Sequence, residues 1–262
     1  MRTLRVLPTL ARIGVAQAAA YRAEMFVWML TTTMPLIMLP LWHAVAEEAP
    51  VRGFGPTRFT AYFFAAFVVR QVAASWASWT INYEVRSGGL NHRLLRPLHP
   101  VWMYASENLA AIPLRALLAL PVGLLALYFT EAEHIARGLD WLIVPLALFG
   151  AWAITFLAHV MIGTLSLWMD QSIKVMDLWQ AGFFVFSGYL VPVDLFPSWL
   201  RGLPDWLPFQ YQLGFPVELL TGSVRGVEAW SMLGSQWAWV LGLALVASVL
   251  WRRGLRHYGA FG

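Results

Sequence analysis

Long apolar runs, separated by short polar stretches, dominate the pattern of this chain. Crossing a bilayer takes about 20 mostly apolar residues in a helix. Six runs meet that length or come close: residues 25–46, 59–81, 104–129, 141–168, 175–191 and 230–251. Pro35 and Pro40 sit inside the first and predict a kink, which neighbouring helices can absorb. Residues 3–22 do not span. Leu4, Val6, Leu7, Leu10, Ile13 and Val15 recur among Arg2, Arg5, Arg12 and Arg22, a pattern that predicts an amphipathic helix lying in the membrane interface. Residues 192–228 carry Pro192, Pro197, Pro204, Pro208 and Pro216 among Trp199, Trp206, Phe209, Tyr211 and Phe215. That stretch is too broken to span and too apolar for an ordinary loop. It predicts short re-entrant helices buried in protein before the last span, with tryptophans at headgroup level. The expected fold is an all-α membrane bundle of six transmembrane helices, a single domain over residues 1–262.

Composition agrees. Hydrophobic residues make up 59% and charged residues 12%, where a soluble domain carries about 25% charged. The absence of cysteine excludes disulfides and thiolate chemistry. The net charge of +4 comes from seventeen arginines and one lysine, Lys174. These lie mostly at span ends, so they speak to orientation rather than nucleic acid. With the N-terminus inside, inner segments hold Arg2, Arg5, Arg12, Arg22, Arg86, Arg93, Arg96, Lys174, Arg252, Arg253 and Arg256. Outer segments hold only Arg52, Arg58, Arg137, Arg201 and Arg225. That asymmetry predicts both termini in the cytoplasm. No cleavable signal pattern is evident: the first apolar run leads into Glu47-Glu48.

The most informative segment follows the second run: Glu84-Val-Arg-Ser-Gly-Gly-Leu-Asn-His-Arg-Leu-Leu-Arg-Pro-Leu-His-Pro100. Gly88-Gly89 breaks the helix and Pro97 and Pro100 mark a second break. Between them, residues 90–96 are expected to form a short helix across the inner face, suited to a groove on a cytoplasmic partner. The segment resembles the first cytoplasmic loop of type-2 ATP-binding-cassette (ABC) exporter permeases, closest to a bacterial branch with Leu-Leu-Arg-Pro in this loop. The basic N-terminal helix, the Pro/aromatic stretch before the last span and the ending Tyr258-Gly-Ala-Phe-Gly262 resemble that family as well. The resemblance implies a coupling role for Glu84, Arg86, Gly88, Gly89, Arg93, Arg96 and Pro97. Asn91 stands where relatives often carry an acid, so no salt bridge is expected from it.

The resemblance further implies export from the bacterial cytoplasmic (inner) membrane. Two copies of an ATPase subunit carry the ATP and Mg, and a second permease, identical or homologous, completes the pathway. This chain is expected to bind no cofactor or metal and no nucleic acid. It is not an ATPase: a phosphate-binding loop needs G-x-x-x-x-G-K-[ST], and Lys174 sits in Ser-Ile-Lys-Val. The histidines His43, His92, His99, His134, His159 and His257 show no i, i+4 metal spacing. Only His159 lies deep in a span, where it is expected to make an interhelical hydrogen bond.

Polar residues at membrane depth are functional candidates. The expected substrate path runs along Arg70, Gln71, Trp76 and Trp79 of the second span and Gln180, Phe183, Phe184 and Phe186 of the fifth. In a continuous helix Arg70 and Ser78 would share a face. Asp170 and Asp177 are expected to pair with Arg115 or Lys174. Such aromatic walls suit an amphipathic, lipid-like or drug-like substrate. Two alternatives stay open: a secondary transporter driven by an ion gradient, and an intramembrane enzyme acting on lipids.

Overall fold

The computed structural model describes residues 32–129, 138 and 140–258. The predicted interface helix 3–22, the first part of the first span and the last four residues lie outside the described residues. Among the described residues the chain is mostly helical, without a β-strand; Val51 and Phe54 form one isolated bridge.

Helix α1 (Met34–Glu48) is followed by α2 (Pro56–Ala73), which packs on it. Trp42, Phe59 and Phe63 stack along this contact, with centroids 5.3 and 6.2 Å apart. The expected second span continues as α3 (Ala77–Ser87), then the short α4 (Leu90–Leu94). The third is also divided, into α5 (Pro100–Ala110) and α6 (Ile112–Phe129), at Ala111. Pro113 lies two residues beyond; it has no N–H to give to a preceding turn.

Helix α7 (Asp140–Thr164) extends through a 3-10 turn to Leu167, and α11 (Gly226–Tyr258) packs along it. Residues Asp140–Leu167 and Gly226–Tyr258 are each long and apolar enough to cross a membrane unaided. Between them come α8 (Ser172–Phe186) and the Pro/aromatic stretch. That stretch holds two 3-10 turns and the short helices α9 (Pro208–Gln212) and α10 (Gly214–Leu220), so its prolines break it as expected. Leu213, Phe215, Val217 and Leu219 are fully buried, while Trp199 and Trp206 stand about 80% exposed. Gln236 of α11 ties this region to α7: its amide donates to the Ala147 and Tyr211 carbonyls, both at 2.9 Å.

One face of each long helix packs inward and the other is greasy and bare. On α11, Val240, Leu243, Ala247 and Trp251 are buried, whereas Leu241 and Leu245 are more than 60% exposed. Leu117 and Leu124 of α6 and Leu142 of α7 are exposed in the same way. Water does not tolerate so much contiguous apolar surface on a monomer, and lipid does. This is a membrane protein.

The segments sort to two ends. Arg52 donates to the Phe196 carbonyl at 2.7 Å and Asp140 accepts from the Gly226 amide at 3.2 Å, at one end. At the other, His99 and Tyr104 meet the Trp251 ring, and Asn82 donates to Ser172 at 2.8 Å.

Helices α3 and α7 cross tightly at Gly163. A Cβ there would lie 3.0 Å from both the Ser78 Cα and the Ile81 Cβ. Small residues let membrane helices approach this closely. Gly163→Val is expected to destabilise by about 1–3 kcal/mol, read as a lower unfolding midpoint in detergent; an unchanged midpoint would show that the crossing can open without cost.

Candidate functional site

The 84–100 segment is held by an internal lock. α3 ends at Gly88, whose φ of 77° reverses the chain at the helix C-cap. Leu90 is fully buried and anchors the turn. Arg93 then reaches back. Its Nε donates to both Glu84 oxygens at 2.8 and 2.7 Å, and its Nη atoms donate to Glu107 of α5 at 2.6 and 3.2 Å. The Tyr104 hydroxyl donates to Glu84 at 2.6 Å, and the guanidinium lies 4.3 Å over the Tyr104 ring. Burial works against the charge on Arg93, but the bonds to Glu84 and then Glu107 outweigh it and raise its pKa. Bidentate pairs of this kind fix geometry as well as energy.

Of the coupling residues expected from sequence, Glu84 and Arg93 therefore face inward and position the loop. Gly88 and Gly89 form the turn. Arg86, Arg96 and Pro97 are exposed, along with His92, Leu94 and Leu95, the last about 85% exposed. Sequence reasoning missed Tyr104 and Glu107. Glu107 stands 14 residues beyond Arg93, and only its position as an acid in the polar first turn of the third run hinted at a partner. His99 caps α5: its Nδ1 accepts from the Val101 amide at 3.3 Å. Burial, then the charge of Arg252, lowers its pKa, so the neutral ring is favoured.

Arg70 and Ser78, in the expected second span, do not lie on one continuous helix. The chain unwinds at Ala74–Trp76, where Ala74 is extended, with ψ 144°, and Trp76 is non-helical. The Arg70–Ser78 spacing argument therefore fails. Three groups meet the freed backbone: Arg115 donates to the Ala74 carbonyl at 3.1 Å, the side-chain Oδ1 of Asn108 accepts from the Trp76 amide at 3.3 Å, and the Ser75 hydroxyl accepts from the Ala77 amide at 3.3 Å. Arg115 also donates to the Asn108 backbone carbonyl at 3.3 Å. Below the break, His159 of α7 pairs with Ser78, Nδ1 to hydroxyl at 2.9 Å, and its ring meets Trp79.

Arg70 and Phe183 do come together, guanidinium over ring at 4.9 Å, with the Tyr189 hydroxyl beside them. Phe184 packs on Tyr189 and Phe186 on Phe209. Gln71 turns away and donates to the Thr32 hydroxyl at 2.7 Å. Trp76 lies under Arg115 instead. Gln180 is partly exposed on α8. Asp177 meets Lys174 at 3.8 Å and Asp170 meets Arg86 at 4.0 Å; neither pairs with Arg115. A groove of about 390 Å³ between α5, α7 and α11 is lined by His99, Trp102, Trp152, Trp251 and Arg252, and by none of the expected path residues.

A family model described as ABC-2 family transporter protein matches residues 26–262. No curated protein matches the chain.

Proposed function

Because the chain belongs to the ABC-2 transporter family, and is thus a permease subunit that works with an ABC ATPase, we propose that it is the membrane half of an ATP-driven exporter whose loop 84–100 receives the motor's stroke. The observation that carries this reading is the locked loop. Arg93 fixes α4 to α3 and α5 through two carboxylates, while Leu95 and Arg96 are left bare at its tip. A rigid lever with an unpartnered tip suits force transfer; a loose basic loop does not.

In this reading the membrane is the bacterial inner membrane, with six spans, an interface helix over residues 3–22 and both termini cytoplasmic. A second permease, identical or homologous, faces the first across α2, α3 and α8. Two ATPase subunits dock beneath, carrying the ATP and Mg, and this chain binds no cofactor. Closure of the ATPase pair shifts the permeases between two conformations, and the cargo leaves the cytoplasm or inner leaflet. Neither an ion-gradient transporter nor a lipid-modifying enzyme draws support from the family.

The test is a coupling measurement on the purified complex with Leu95 and Arg96 both changed to Ala. The lock stays intact, so the permease is expected to fold normally. Loss of two central contacts, about 1–2 kcal/mol each, is expected to cut transport at least about tenfold while ATP turnover loses its response to cargo. Transport and turnover still linked at wild-type level would overturn the assignment of the tip.

A further inference from the structure

Resting on the exporter reading, we propose that the cargo is an anionic amphiphile, and that Arg70 beside the break in the second span receives its negative group. Two guanidiniums, Arg70 and Arg115, flank this break: Arg115 donates to the Ala74 carbonyl, and Arg70 stands four residues before Ala74 on α2. Neither has a carboxylate partner among the described residues. Both Nε atoms are buried without a hydrogen-bond partner among the described residues, and Arg115 is only 6% exposed.

Helix ends do not neutralise the pair. The C-terminus of α2 offers about half a negative charge, and the N-terminus of α3, three residues on, about half a positive one. The two cancel, and among the described residues nothing else offsets the two positive charges. Nor do the first amides of α3 offer themselves to a ligand: Ser75, His159 and Asn108 already occupy them.

The two arginines differ in what they hold. Arg115 spends its donors on the Ala74 and Asn108 carbonyls and acts as a strut. Arg70 is partly exposed, and its surroundings are aromatic: Phe183 beneath it, then Phe184 and Tyr189. Such a wall accepts an apolar chain with few directional demands. The Arg70 guanidinium is bonded to the Tyr189 hydroxyl but to no carboxylate among the described residues, and a guanidinium binds phosphate, sulfate or carboxylate. A cationic cargo would meet two like charges in a low dielectric, an arrangement that rejects it. Charges at membrane depth in transporters mark substrate pathways.

The experiment uses the full complex of permease and ATPase. Three probes are compared by native mass spectrometry and by stimulation of ATP turnover: dodecyl phosphate, dodecyltrimethylammonium with the same chain, and inorganic phosphate without one. Dodecyl phosphate is expected to bind and stimulate, and the other two to bind at least about tenfold more weakly, the scale of one charge-assisted bond. Arg70→Gln is expected to erase the preference for the anion, and Arg70→Lys to keep it. A residue that merely pinned Tyr189 would change neither sign preference. Equal binding of the two amphiphiles, inorganic phosphate binding as tightly as dodecyl phosphate, or an unchanged preference in Arg70→Gln would each overturn the proposal. Failure of the exporter reading looks different: no ATPase subunit would hold to the permease, whatever the probes did.

Discussion

Arg93→Ala is expected to lower the stability of the permease by about 3 kcal/mol and to uncouple ATP turnover from transport. The side chain is only 14% exposed, and so is little screened. Its removal does more than delete bonds. It leaves Glu84 and Glu107, both bonded to the same guanidinium, facing each other as like charges. The geometry of the loop would go with it, because Leu90 alone would then hold α4 to the bundle. Arg93→Lys keeps the charge but loses the bidentate fork, so it is expected to recover only part of the loss. Hydrogen exchange across residues 84–100 reads the outcome: fast exchange in Arg93→Ala, intermediate in Arg93→Lys. Protection unchanged in both would mean that the lock contributes nothing to the lever.

Asn108→Leu is expected to destabilise more than Arg115→Leu, although the arginine carries the charge. Leucine at 108 leaves the Trp76 amide without its acceptor, and a buried orphan N–H costs about 1–3 kcal/mol. It also removes the Asn108 bond to the Tyr104 carbonyl at 2.9 Å. Together these give about 2–4 kcal/mol. Leucine at 115 orphans carbonyls, which tolerate under-satisfaction better than N–H groups do. It also returns the desolvation penalty of a guanidinium that has no acid beside it, a term of several kcal/mol. The net for Arg115→Leu is therefore expected below about 2 kcal/mol. Unfolding midpoints in one detergent give the order directly. A larger loss at Arg115 would show that its charge is neutralised by something not yet identified.

These two predictions rest on features that the sequence displayed only in part or not at all. The two long helices, Asp140–Leu167 with its 3-10 turn and Gly226–Tyr258, were legible, because each apolar run carries its own hydrophobic pattern. So were the glycine turn at Gly88 and the proline-broken stretch before α11: one residue type dictates the local backbone in each. The break at Ala74–Trp76 was not. Ala-Ala-Ser-Trp contains neither proline nor glycine and reads as uninterrupted helix. The groups that stabilise its unwinding lie 32 and 41 residues away, on α5 and α6. The lock was half legible. Glu84 and Arg93 stood in the recognised segment, but their inward direction depends on Tyr104 and Glu107, beyond the loop. A linear motif marks a loop; only packing shows which of its residues stand exposed and which hold the rest in place.

The division between lever and tip leads to one decisive measurement. The chain has no cysteine, so a photo-reactive side chain or a single cysteine at position 95 reports without background. In native membranes, a photo-crosslinker at Leu95 should yield an adduct between this permease and a separate subunit bearing a phosphate-binding loop, strengthened or weakened by ATP. An adduct with lipid alone, or labelling of position 95 by an impermeant reagent from outside intact cells, would contradict the account.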